Sequence, residues 1–306
     1  MRLTPFPLAF LSLLFLSTSA VRAADDLNEV VASAVHGAQS QFASDKLKDD
    51  DVAVTVIDLR DPAKPRTGSF RGTAAIYPAS VIKLFYLAAT HRWLEDGKFQ
   101  DSDELRRTLR DMIVDSSNDA CGAIVDALSG VGNGAPLDDA EMKAWADKRQ
   151  AVNRYYASMG YRGINVCQKA YAEGPYLRER ILLGPKYENR NQLTTDATAR
   201  LLSEIVTGKA VTADRSRQMM ELLQRDPSAK PEGGDDQNTG FTAKALPPGS
   251  KLWAKAGWTN TARHDAAYVE TPEGLKFVLV IFTTGHSRNR EVLPAIARGV
   301  MEGMGK

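Results

Sequence analysis

The chain has 306 residues, with 39 Lys+Arg against 38 Asp+Glu and a formal net charge of +1. Hydrophobic residues make up 43% and charged residues 25%, which suits one large globular domain or two small ones with a substantial core. The charge balance holds no basic excess to recommend nucleic acid as a partner and no acidic solvating tail.

The first residues read as an export signal, not as fold. Arg2 gives a short positive start, Leu8 to Leu16 is an apolar run, and Ser17 to Ala23 offers small residues for a signal peptidase. The reading is a signal peptide over 1–23, cut after Ala23 or Ala24, and a mature domain over 24–306 that is periplasmic or secreted. The apolar run is short for a span of about 20 residues and no cysteine follows it, so no stable membrane anchor is expected. The most apolar later stretch, Phe277 to Phe282, has only strand length.

Asp26 to Gln41 carries apolar residues at helical spacing behind a capping Asp26. Val52 to Leu59 reads as a strand, Thr67-Gly68 as part of a turn, and Ser69 to Gly72 as a second short strand. Pro78 precedes a helix from Ala79 to Glu95 that is apolar nearly all round and therefore buried. Helices are predicted over Asp103 to Met112, from Asn118 through Leu128, over Asp138 to Met159, and over Thr195 to Ile205 behind a Thr194 or Thr195 cap. Gly160 to Asn191 is a long irregular loop, a feature that usually carries function. Lys230 to Thr239 is a polar surface loop. Strands over Lys251 to Lys255, Ala266 to Glu270 and Lys276 to Thr283 precede a closing helix from Asn289 to Met301. This order predicts an α/β fold of the α+β kind: one antiparallel sheet built from both chain ends, with a helical region inserted.

Three short motifs carry the chemistry. Ser80-Val81-Ile82-Lys83 puts a hydroxyl and an amine on one face at the start of a buried helix. A serine needs a near base to be nucleophilic, and a lysine kept from water can supply one. The helix N-terminus suits a developing oxyanion. Ser-x-x-Lys arises by chance in a chain this long, but a charged Lys83 on a buried helix is costly without a role. Ser116-Ser117-Asn118 precedes a helix: Ser116 can relay a proton and Asn118 can read an amide, although plain N-capping would also account for these residue types. Lys255-Ala256-Gly257 lies in a predicted edge strand, where the lysine can hold a carboxylate and the glycine allows close backbone approach.

In this order the motifs resemble the serine β-lactamase and penicillin-binding protein superfamily, most of all its class A β-lactamase-like branch. Thr194-Thr195-Asp196 opening a helix and His264-Asp265-Ala266-Ala267 after the lysine strand extend the resemblance over most of the mature chain. It implies a β-lactamase/transpeptidase-like sandwich with the site between helical region and sheet, and an acyl-enzyme formed with β-lactam or peptidoglycan-like amide substrates. Ser80 would be the nucleophile, Lys83 its proton partner, Ser116 the relay, Asn118 the amide reader and Lys255 the anion holder beside Gly257. The N–H groups of Ser80 and Trp258 would form the oxyanion hole. The resemblance also implies that Cys121 and Cys167, the only cysteines, lie on segments that pack together, and so a disulfide between them. No cofactor is implied, and a monomer is expected. A D,D-peptidase or esterase of the same superfamily is the alternative enzyme, and a penicillin-binding sensor or inert scaffold the alternative outside enzymes.

The sequence departs from the family pattern in four places. The stretch between Ser80 and Ser116 is short, Ser117 stands for the usual aspartate, and Ala256 for the usual Thr or Ser. The long loop also lacks the Glu-x-x-x-Asn that holds hydrolytic water. Glu173 and Glu179 are the candidate loop acids, with Glu179 preferred by its distance from Asp196, and Lys83 is the remaining base. Efficient β-lactam turnover is what these changes put in question. Other chemistries find little support. The four histidines show no metal spacing, and no Gly-x-Ser-x-Gly elbow is present. Arg263 and His264 are read as site-rim residues.

Overall fold

The structure is a computed structural model and describes residues 26–171, 174–229, 236–238 and 240–305. The expected signal peptide, Glu173 and most of the 230–239 loop lie outside the described residues.

Among the described residues, six strands form one antiparallel sheet in the order β2-β1-β6-β5-β4-β3. They are β1 (Val52–Asp58), β2 (Arg66–Phe70), β3 (Gln224–Arg225), β4 (Lys251–Trp258), β5 (Ala262–Glu270) and β6 (Lys276–Thr284). The central strands are buried on both faces, so they read as nearly continuous apolar runs, not as an alternation. One face is covered by α1 (Leu27–Gln41) and α10 (Val292–Met304). The opposite face meets the helical region: α2 (Ile82–Glu95), α3 (Asp103–Ile113), α4 (Asn118–Ser129), α5 (Asp139–Arg149), α6 (Ala151–Ser158), α7 (Leu177–Leu183), α8 (Thr195–Val206) and α9 (Ala213–Leu223).

Local physics accounts for most boundaries. The Asp26 side chain accepts from Asn28 N–H and starts α1, and Thr194 accepts from Ala197 N–H to start α8. Caps of this kind contribute about 1 kcal/mol each. The predicted helix over Asp138 to Met159 is two helices, parted at Gln150. Gly68 lies inside β2, not in a turn: a Cβ there would collide with the backbone of Leu27, so this glycine lets α1 approach the sheet. The α9–β3 segment was not foreseen. Its strand is only two residues long, below the length at which alternation can be read.

The expected Cys121–Cys167 disulfide is absent, and both residues are free, buried thiols. Cys121 packs in the core with α2, whereas the Cys167 sulfur turns to Asn189 Oδ1 (3.7 Å) and the Asn189 carbonyl (3.9 Å). Burial pushes both thiols up, Cys167 to about 12, so both stay protonated at neutral pH.

Candidate active site

The nucleophile candidate sits on a strained turn. Pro78 leads into a short 3-10 turn, Ala79–Val81, that runs into α2. Ala79 has φ +46° and Ser116 φ +55°, a left-handed backbone that L-residues rarely adopt and that gathers at functional sites. The motif carrying Ser116 lies between α3 and α4. Its N-cap is Ser117, whose Oγ accepts from Ala120 N–H at 3.1 Å. Capping therefore engages the middle residue, a role that serine and aspartate fill equally well, and leaves Ser116 and Asn118 to turn to Lys83.

Lys83 is fully buried and has four polar neighbours. Its Nζ lies 2.5 Å from the Ser116 carbonyl, 2.8 Å from Asn118 Oδ1, 3.1 Å from Ser80 Oγ and 3.2 Å from Ser116 Oγ. An ammonium has three protons for these four acceptors. A neutral amine would donate to the carbonyl and the amide and keep a lone pair for a hydroxyl proton. Burial pushes Lys83 down to about 8, so roughly a tenth is neutral at pH 7. That fraction is able to take the Ser80 proton.

Lys255, also fully buried, donates to Ser116 Oγ (3.0 Å), to Gln237 Oε1 (2.7 Å) and to the Ala256 carbonyl (2.8 Å). Burial and the neighbouring Lys83 charge hold it well below an ordinary lysine. Ser116 Oγ thus stands between two amines, the arrangement a relay needs. Ala256 packs into the core beneath α1 and α10, which accounts for an apolar residue at that place. A Cβ on Gly257 would lie 2.7 Å from Ser80 N and 2.8 Å from Val81 N, so only glycine lets β4 pass the nucleophile's turn. Trp258 lines the same cleft as Ser80, Ser116, Asn118, Arg225 and Gln237.

Asn118 Nδ2 donates to the Tyr171 carbonyl (2.9 Å) and so ties the long loop to the site. The neck of that loop closes where Asn191 Nδ2 donates to the Gln168 carbonyl and Asn191 N–H to Gln168 Oε1, both 3.0 Å. Glu179 is not in the cleft. Its carboxylate is fully buried, held by Arg149 and by the Tyr171 hydroxyl at 3.1 Å. Arg149 also pairs with Asp126 (2.6 Å), which pairs with Lys169 (2.5 Å). The preference for Glu179 as water base is therefore corrected: it is one acid of a buried ionic cluster that anchors the loop.

Arg263 and His264 are buried, not at the rim. Thr283 N–H donates to His264 Nδ1 (3.1 Å), which leaves the proton on Nε2, 2.9 Å from the Tyr77 carbonyl. His264 thereby ties β5 and β6 to the segment entering Ser80. Sequence reasoning missed this link, and it also missed Gln237 and Arg225. A lone glutamine in a polar loop gives no signal, and Arg225 lies on the two-residue strand.

Fold and site together define a β-lactamase-like serine hydrolase. The chain belongs to the β-lactamase enzyme family, whose model matches residues 104–302. That match begins downstream of Ser80 and Lys83. Among solved structures, the chain is similar to a β-lactamase from Sphaerobacter thermophilus, with 20% identity, 90% of this chain and 97% of that chain covered, and a TM-score of 0.65. It is similar to a mutant of PBP-A captured as its acyl-enzyme complex with penicillin G, with 15% identity, coverage of 90% and 96%, and a TM-score of 0.64. It is likewise similar to the TLA-1 extended-spectrum β-lactamase, with 14% identity, coverage of 90% and 99%, and a TM-score of 0.66. At these identities the likeness speaks for the fold. No curated protein matches the chain.

Proposed function

We propose that this protein is an exported enzyme that opens β-lactams or related peptidoglycan-like amides through an acyl-enzyme on Ser80, and that it releases the acyl group slowly. The observation that carries the reading is Lys83 Nζ buried between Ser80 Oγ, Ser116 Oγ and Asn118 Oδ1. In the forward step Lys83 takes the Ser80 proton as Oγ attacks the carbonyl carbon. Ser116 gives its hydroxyl proton to the leaving nitrogen and takes one back from Lys83, whose Nζ lies 3.2 Å from its Oγ. Lys255 keeps the relay hydroxyl oriented, and the start of α2 faces the developing oxyanion.

Slow release follows from the partners of Lys83. Among the described residues they are two hydroxyls, an amide oxygen and a carbonyl oxygen, none of them a carboxylate, and Glu179 is engaged by Arg149. This favours a penicillin-binding behaviour over efficient resistance-type hydrolysis. Mixing with nitrocefin is expected to give a burst near one equivalent and then a slow steady phase. The intact mass after penicillin G is expected to rise by one acyl group, and not in Ser80→Ala. Labelling that persists in Ser80→Ala would refute the assignment. The amino-terminal pattern supports export, and amino-terminal sequencing of the mature protein is expected to start at Ala24 or Asp25.

A further inference from the structure

Gln237 stands where an anionic substrate group would meet Lys255. Its Oε1 accepts from Lys255 Nζ (2.7 Å) and from Ala256 N–H (3.3 Å). Its Nε2 donates to the carbonyls of Ile113 (3.0 Å) and Val114 (2.7 Å). A primary amide has two protons to give and two lone pairs to receive, and here all four are used. Lys255 is saturated in the same way, because its three protons go to Ser116 Oγ, Gln237 Oε1 and the Ala256 carbonyl. A carboxylate entering the cleft finds no free proton on Lys255 and reaches it only by displacing the glutamine oxygen. Charge-assisted bonds are the stronger kind, but the exchange also strips Ala256 N–H of its acceptor unless the incoming group reaches both donors.

We propose that Gln237 is a specificity-determining residue of this cleft: its amide fills the anion position beside Lys255 and shifts the preference from carboxylate-bearing acyl donors towards donors that are neutral there. The proposal rests on acylation of Ser80. It also assigns Lys255 to orienting the relay hydroxyl in the free enzyme, with anion holding available only after displacement.

The test compares second-order acylation rates of Ser80 by benzylpenicillin and by its methyl ester, which differ at the carboxylate alone. The measured quantity is the ratio of the two. Gln237→Ala opens the position, and Ile113 keeps a partner because Arg225 Nη2 also donates to its carbonyl (3.0 Å). The ratio of acid to ester is expected to rise at least about tenfold, the lower end of what one hydrogen bond to a charged group supplies. Gln237→Glu places a permanent carboxylate on Lys255, and the ratio is expected to fall below that of the native enzyme. Opposite movement in the two variants is not what loss of a structural brace produces. A ratio unmoved in both, or moved in the same direction in both, would overturn the proposal and leave Gln237 as a tie between β4 and the end of α3. If neither compound acylates native Ser80, the acyl-enzyme reading fails, and the proposal fails with it.

Discussion

At the scale of single residues, the chemistry turns on the charge of Lys83. Burial lowers it to about 8, so the neutral, proton-accepting form increases as pH rises towards that value. The acylation rate should therefore climb close to tenfold per pH unit from pH 6 and flatten above about pH 8. Stopped-flow acylation by nitrocefin across pH 6 to 9.5 checks this, and a flat profile would show that the proton goes elsewhere. Lys83→Ala should reduce acylation by about 10²–10⁴, the usual worth of a general base. Gly257→Ala tests the fit of β4 against the nucleophile. Its Cβ would come 2.7 Å from Ser80 N, so the turn must shift, and a displacement of that kind is expected to lower acylation by about 10²-fold. A loss of less than threefold would mean that the turn tolerates the shift.

At the scale of elements, the long loop is held by charge and by its neck. Arg149 is fully buried between Asp126 and Glu179 and lies over the Trp145 ring at 4.9 Å. Replacing one partner of a buried ion pair leaves the other uncompensated, at a cost of about 3–5 kcal/mol. Arg149→Met should lower stability by that amount in urea unfolding. Glu179→Gln keeps one oxygen to accept from Arg149, but its amide nitrogen cannot accept from the Tyr171 hydroxyl and the charge is lost, so it should destabilise the loop and slow both phases of nitrocefin reaction together. Slowing of the steady phase alone would restore Glu179 as the base that activates water. Glu179 was visible in the sequence, but its direction was not. Direction depended on Arg149, whose helix packs against the loop only in three dimensions.

At the scale of the whole molecule, buried titratable groups set its response to acid. His264 and His91 are both pushed down to about 4 by burial, and neither ring nitrogen of His91 has a partner. Each stays neutral in the fold while the unfolded chain takes up a proton from about pH 6.5 downward. Stability linked to them is intact above that pH and is lost as pH falls towards 4. Asp265 works the other way: burial raises it to about 6, so the fold binds its proton before the unfolded chain does. Two histidines against one aspartate leave a net loss on the order of 3 kcal/mol between pH 6.5 and 4. Urea midpoints across that range should fall with pH, and His264→Gln should flatten the slope. A midpoint that stays level or rises would mean that the histidines are protonated in the fold.

The buried α2 and the Ser80/Lys83 pair were legible because their signals are local; the sheet from both chain ends was read from the order of the elements, and the roles of Ser116 and Asn118, which lie 33 and 35 residues from Lys83, were read only from the resemblance. Apolar periodicity and short spacing along one helix face are properties of contiguous residues. Lys255 was legible through its strand and its place in the motif order. The free thiols, the burial of His264 and Arg263, the capture of Glu179 by Arg149 and the hold of Gln237 on Lys255 were decided by tertiary structure alone. Each depends on a partner far away in the chain, brought within hydrogen-bond distance by packing. A side chain's partner is set by which surfaces the core brings together, and no local pattern of residue types encodes that choice.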